Sequence, residues 1–189
     1  MLKINQIRCE VGETFSIHHI AKKLRCSIHD IHSFEIDRES IDARGDDLHY
    51  SYSVYASIKN EDKYLKNRDV KKESKEVYNL PTTAKTPIQR PIIVGFGPSG
   101  MYAGLILAEA GLKPIIIERG QAVEQRTKDI NTFFTKGKLL ESSNVQFGEG
   151  GAGTFSDGKL TTRMKNIRVS KVYEEFVEAG ANPTILYQQ

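Results

Sequence analysis

Residues 91–120 constrain the fold more tightly than any other stretch of the chain. They read Pro-Ile-Ile-Val-Gly-Phe-Gly-Pro-Ser-Gly-Met-Tyr-Ala-Gly-Leu-Ile-Leu-Ala-Glu-Ala-Gly-Leu-Lys-Pro-Ile-Ile-Ile-Glu-Arg-Gly. A short apolar run, Ile92 to Val94, leads into Gly95-x-Gly97-x-x-Gly100. A helical pattern follows, and a second apolar run, Ile115 to Ile117, ends on Glu118. This order predicts a strand, a helix and a second, parallel strand joined through a glycine turn, the layout of a dinucleotide-binding βαβ unit.

Each position has a physical role in such a unit. Gly95 allows the tight turn out of the strand, Gly97 lets the backbone approach a pyrophosphate, and Gly100 permits close contact between helix and strand. The helix is expected to open near Pro98 or Ser99, where unpaired N–H groups and the positive end of its dipole attract phosphate without a basic side chain. Ala103, Leu107 and Ala110 recur at helical spacing and are expected to face the sheet, with Gly111 stopping the helix. Glu118 then stands at the tip of the second strand, placed to accept from the 2′- and 3′-hydroxyls of an adenosine ribose. A carboxylate there repels a 2′-phosphate, an effect that Arg119 offsets in part.

An ADP half is common to FAD and NAD, so the turn alone leaves both open. Residues 144–163 bear on the choice: they read Asn-Val-Gln-Phe-Gly-Glu-Gly-Gly-Ala-Gly-Thr-Phe-Ser-Asp-Gly-Lys-Leu-Thr-Thr-Arg, with glycines at 148, 150, 151, 153 and 158. Such a run forms neither a stable helix nor an interior strand, and its open backbone suits close approach to a ligand. It reads as a second cofactor wall. Gly153 to Lys159 also satisfies the G-x-x-x-x-G-K part of a phosphate loop, but Leu160 stands where Ser or Thr would bind magnesium, which excludes that motif.

These two segments, with Ile117-Glu118-Arg119-Gly120, Arg126, Asp129-Ile130 and Phe133 between them, closely resemble a family of bacterial FAD-dependent dehydrogenases of uncertain substrate, the NAD(FAD)-utilising dehydrogenase type. The resemblance is strong over residues 88–189 and looser before them. It implies a small N-terminal α/β domain ahead of a flavin-binding fold, with noncovalent FAD as cofactor. Carried over residue by residue, it implies that Gly95, Gly97, Pro98, Ser99, Gly100, Glu118 and Arg119 surround the ADP part. Arg126 and the run Gly150, Gly151, Ala152, Gly153, Thr154, Ser156, Asp157, Gly158 and Lys159 would lie along the ribityl chain and near the isoalloxazine. Family members run to several hundred residues, so this chain reads as an N-terminal piece. Alone it is expected to hold FAD weakly at best and to show no turnover. Ile185-Leu-Tyr reads as a strand lacking its continuation.

The first 80 residues carry different patterns. Leu2 to Val11 reads as a strand and Ile17, Ile20, Ala21 and Leu24 as the apolar side of a helix. Phe34-x-Ile36 and Leu48-x-Tyr50-x-Tyr52-x-Val54 alternate as half-buried strands, with Arg44-Gly-Asp-Asp47 as the turn between them. The order is β-α-β-β. Residues 60–78 are lysine-rich, with Tyr64, Leu65, Val70, Val77 and Tyr78 as the apolar side of a further helix. Asn79 to Pro87, with two prolines and three threonines, reads as a linker. The expected architecture is α/β: an α+β domain over 1–80, a linker over 81–90 and an incomplete Rossmann-like FAD-binding domain over 91–189.

Composition narrows the function classes. At 39% hydrophobic and 27% charged residues the chain is an ordinary globular sequence. A formal charge of +3, shared without asymmetry between the halves, implies no nucleic-acid face. No apolar run approaches a membrane span and the first residues lack a signal-peptide core, so cytoplasm is the expected location. Cys9 and Cys26, the two cysteines, precede the nucleotide unit, which argues against a flavin-linked redox disulfide. His18, His19, His29, His32 and His49 show no paired ligand spacing with them, and no metal site is expected.

The leading expectation is an FAD-dependent oxidoreductase or its N-terminal portion, acting on a small-molecule substrate that the sequence does not identify. A pyridine-nucleotide dehydrogenase is the first alternative. A non-catalytic partner-binding module is the second. No acid, base or nucleophile is assigned.

Overall fold

Strand β1 (Leu2–Glu10) is present as expected; it begins with a period of two, Leu2 and Ile4 buried, and then breaks it. Gln6 takes φ of +55°, the pairing register shifts between Ile4 and Ile7, and the bulge turns Ile7 and Cys9 inward instead of Gln6 and Arg8. The structure is a computed structural model. It describes residues 1–44, 47–81, 89–156, 164 and 166–188. Two units are distinguished: Met1–Tyr78 with Met164–Gln189, and Asn79–Arg163.

In the first unit, helix α1 (Ile17–Leu24) follows β1, then strands β2 (Ile31–Asp42), β3 (His49–Ile58) and β4 (Val70–Lys72). They form an antiparallel sheet in the order β2-β3-β1-β4, with β3 and β1 central. Ile20, Ala21 and Leu24 form the buried stripe of α1, packed in one core with Leu2, Ile4, Ile7, Cys9 and Val54. Each large aliphatic side chain removed from water there contributes about 1.5–3 kcal/mol. The predicted strands and helix are thus present. Gly45 and Asp46 of the expected turn lie outside the described residues.

Two elements differ from expectation. Residues 60–78 do not form a helix: Glu61–Tyr64 makes a single 3-10 turn, and Val70–Lys72 becomes edge strand β4, its Val70 opposite Ile4. The open edge of β1 offers hydrogen bonds to a short β-branched segment, and Tyr64 and Val70 reach the sheet core without a helix. Ile185-Leu-Tyr is not a strand either, because Pro183–Leu186 forms a 3-10 turn capped by the Asn182 side chain on the Thr184 N–H. The chain then bridges to β2: Glu39 N–H donates to the Tyr187 carbonyl at 2.7 Å, and Gln188 Nε2 donates to Glu39 Oε1 at 3.1 Å. This anchor explains why Met164–Gln189 belongs to the first unit, whereas the sequence pattern ran the second domain on to residue 189.

In the second unit, strand β5 (Ile92–Val94), helix α2 (Pro98–Glu109) and strand β6 (Ile115–Ile117) form a βαβ unit, with the strands parallel and in register Ile92↔Ile115, Ile93↔Ile116, Val94↔Ile117. Helix α3 (Val123–Lys136) follows. The chain is therefore mixed α/β, with one antiparallel sheet and one small parallel sheet. Residues 82–88 of the linker lie outside the described residues. Among the described residues no helix is long and apolar enough to cross a membrane.

The face that α2 turns to the strands is the predicted one in part: Leu107 and Ala110 are half-buried, whereas Ala103 is exposed and Gly104 is the buried position. A Cβ on Gly104 would stand 2.7 Å from Ile116 Cδ1, so the helix approaches β6 closely where it carries no side chain. Helix α2 ends as predicted, with Gly111 at φ of +76° donating its N–H to the Ala108 carbonyl at 2.8 Å.

Candidate functional site

The turn after β5 is built by its glycines. Gly95 sits at φ of +97°, a conformation that an L side chain rarely tolerates, and its N–H donates to the Ile117 carbonyl at 2.7 Å. Gly97 is the N-cap of α2 and contributes no side chain to cap it, with Pro98 at the first helical position. Pro98 and Ser99 are exposed, so the N-terminal end of a twelve-residue helix faces outward without a side-chain cap. Gly100 lies hard against the turn: a Cβ there would fall 2.0 Å from the Gly95 carbonyl oxygen.

Glu118 follows β6 and reaches back to the same turn. Its Oε2 accepts from the Phe96 N–H at 2.6 Å and its Oε1 from the Gly120 N–H at 2.7 Å. The N–H groups of Gly120 and Phe96 hold the carboxyl below the usual glutamate range, against a small opposing effect of burial, with the positive charge of Arg126 adding to the shift. The acid is therefore ionised and oriented, with lone pairs left over for a hydroxyl donor. A group with a depressed native pKa stabilises the fold fully above its unfolded value and loses that contribution as pH falls through the native value. Acidification below about pH 4 is expected to release the Phe96 and Gly120 amides before the sheet of the first unit is affected. Amide exchange followed against pH reads this directly; exchange at Phe96 and Gly120 unchanged down to the acid transition would mean that the carboxylate does not hold them.

The glycine-rich segment comes to this turn. Gly150 N–H donates to the Phe96 carbonyl at 2.8 Å, and Gly151 is buried, its Cα close enough to Gly97 that a Cβ on Gly151 would stand 3.2 Å from Gly97 Cα. Gly151–Phe155 forms one 3-10 turn that leaves Ala152, Gly153 and Thr154 exposed, while Thr154 Oγ1 donates to the Glu149 carbonyl at 3.0 Å. Ser156 N–H donates to the Gly153 carbonyl at 3.1 Å and ends the turn. The structure thus brings Gly95, Gly97, Pro98, Ser99, Gly100, Glu118, Gly150 and Gly151 together. Asp157, Gly158 and Lys159 lie outside the described residues.

Arg126 and Arg119 do something other than line an open cleft. Arg126, on α3, is completely buried, and it donates from Nε to the Asn144 carbonyl at 2.9 Å, from Nη2 to Val145 at 2.8 Å and from Nη1 to Glu149 at 2.6 Å. Its guanidinium lies 4.9 Å from the Phe155 ring centroid. Burial lowers its pKa, while the Glu118 carboxylate acts in the opposite sense. One side chain so fixes the backbone of the segment leading into the glycine run. Arg119 is exposed and lies over the Phe147 ring at 4.2 Å.

Two supporting residues were not singled out in the sequence. The Glu149 carboxylate accepts from the Val123 N–H at 2.8 Å and so caps the start of α3, an acid at a helix N-terminus supplied from a distant segment. Ser143, which is buried, donates to Asp129 Oδ2 at 2.6 Å. Neither shows a local signal, because each partner lies more than a dozen residues away.

Residues 1–57 match the model of a family described as a domain of unknown function, DUF8436. Over 194 aligned positions covering 99% of this chain, the sequence is 42% identical to an uncharacterized protein of Clostridium beijerinckii. The chain spans 36% of that relative's length.

Proposed function

We propose that the second unit holds the ADP half of FAD and belongs to a flavin-dependent oxidoreductase, as the resemblance of its two glycine segments implies. The observation that carries the reading is the parallel β5-α2-β6 unit, whose glycine turn opens an outward-facing helix N-terminus with no side-chain cap. Phosphate binds such an end through backbone N–H groups and the helix dipole. Glu118 stands on the same turn, ionised and oriented for ribose hydroxyls. The run from Gly150 is the wall along which the flavin half would extend.

The exposure of the small parallel sheet supports a larger, Rossmann-like setting. Ile92, Val94 and Ile117 are 64%, 84% and 53% exposed, although parallel sheets bury both faces. Additional strands and helices of a longer protein would cover them, and the C. beijerinckii relative is longer. The flavin would carry the hydride or electrons, while these residues orient it.

Fluorescence titration of FAD with the 189-residue chain tests the reading. Saturable quenching reversed by ADP is expected, together with loss of about 1.5–3 kcal/mol of ADP affinity in Glu118→Ala, the range for hydrogen bonds to a charged group. A flat titration with FAD and ADP alike would remove the proposal. Tighter binding of NAD+ than of FAD would move it to a pyridine-nucleotide dehydrogenase.

A further inference from the structure

The bulge in β1 has brought Cys9 to the buried side of its strand, next to two other groups able to bind a metal. Cys9 Sγ, a Glu13 carboxylate oxygen and a His19 ring nitrogen all lie within 4.8 Å of one another. They come from three elements: the end of β1, the connection after it and the first turn of α1. We propose that Cys9, Glu13 and His19 form a three-ligand site for a borderline divalent cation of the zinc type, with a fourth position open to solvent. Thiolate, imidazole and carboxylate are together the donor set that such cations take at tetrahedral centres, and three protein ligands leave one position free. The proposal does not depend on the nucleotide site.

The imidazole is already aimed. His19 is the third residue of α1, where the Ser16 N–H donates to its Nδ1 at 3.2 Å in the manner of a capping box, and its ring stacks on Phe15 at 5.3 Å. This turns Nε2 to Glu13 Oε2 at 3.3 Å, a ligand-to-ligand spacing suited to metal bonds of about 2.0–2.2 Å. Cys9 Sγ donates to the Glu13 carbonyl at 3.6 Å, so the thiol lies against the same connection. Burial and the carboxylates of Glu13, Glu10 and Glu39 keep that thiol protonated, which is the negative surrounding a dication relieves. A surface pocket of about 510 Å3, bounded in part by Gln6, Arg8, Glu13, His19 and Lys22, opens on the Glu13 and His19 side of the set.

Metal binding requires the Cys9 thiolate, so affinity should fall on acidification. Cys26 lies apart from the set, its thiol paired with Tyr64.

The test uses the metal-free 189-residue chain and zinc alone, followed by calorimetry, with cobalt as the spectroscopic probe. Expected are one zinc per chain and a sulfur-to-cobalt charge-transfer band. Cys9→Ala and His19→Gln should each weaken binding about 100-fold or more, beyond the 10- to 100-fold typical of outer-shell changes. Glu13 is exposed, so Glu13→Gln keeps the test valid if a core variant fails to fold, and about 10-fold weakening is expected. Binding unchanged by Glu13→Gln, a cobalt spectrum without the thiolate band, or no binding by the folded parent chain would each overturn the proposal.

Discussion

Gly100→Ala is expected to abolish dinucleotide binding and to unseat α2 from its turn. The added methyl would stand 2.0 Å from the Gly95 carbonyl oxygen and 3.0 Å from its carbon, both backbone atoms of a turn held by the Gly95 N–H to Ile117. No rotamer change relieves a Cβ, so helix and turn must separate. Overpacking of this kind costs about 1–3 kcal/mol and sometimes more, and the upper end is expected here because neither contact is with a flexible side chain. Hydrogen exchange across Ile92–Val94 and Pro98–Glu109 reads the fold, and FAD fluorescence reads the site. Gly97→Ala is the informative companion. Gly97 has φ of −77°, which any residue adopts, and a Cβ there would meet its neighbour Gly151 Cα at an ordinary 3.9 Å. That variant should keep its exchange protection and bind FAD more weakly, because a Cβ on this turn narrows the close backbone approach that a pyrophosphate needs. Equal exchange in Gly100→Ala and the parent chain would mean that α2 does not pack on Gly95.

Arg126→Met is expected to loosen the segment 144–150 and to lower the stability of the second unit by about 3 kcal/mol. Three carbonyls, of Asn144, Val145 and Glu149, would lose their donor together. Each buried acceptor left without a partner costs about 1–3 kcal/mol, and the costs overlap because one loop movement can expose several of them to water. Methionine retains much of the aliphatic volume, so the loss reports the missing donors more than a cavity. Arg126→Lys should recover little, since an ammonium cannot reproduce the planar fork that meets three separate carbonyls. Thermal melting gives the magnitude, and exchange at residues 144–150 gives the location. FAD affinity should fall with the loosening of this segment. Weaker FAD binding with the loop still protected would instead place Arg126 against the ligand, as the family resemblance alone suggested.

Local sequence determined the two features whose physics is itself local. The apolar runs at 92–94 and 115–117, with the intervening glycines, specify strand, turn, helix and parallel strand because each choice is made within a few residues. The period-2 run of β3 and the helical stripe of α1 were legible for the same reason. Tertiary structure decided what depends on distant partners. Gln6 at positive φ gives no sign in the sequence, yet it reverses the inside and outside of β1 and brings Cys9 to Glu13 and His19. Val70 became a strand because β1 offered an unpaired edge, and the last residues lost their strand pattern to a proline turn anchored at Glu39. Arg126 shows the difference most plainly. The family resemblance implied a ligand contact for it, but three backbone carbonyls converging from 18 to 23 residues away make it a buried clamp, because a guanidinium removed from water must find acceptors wherever the fold supplies them.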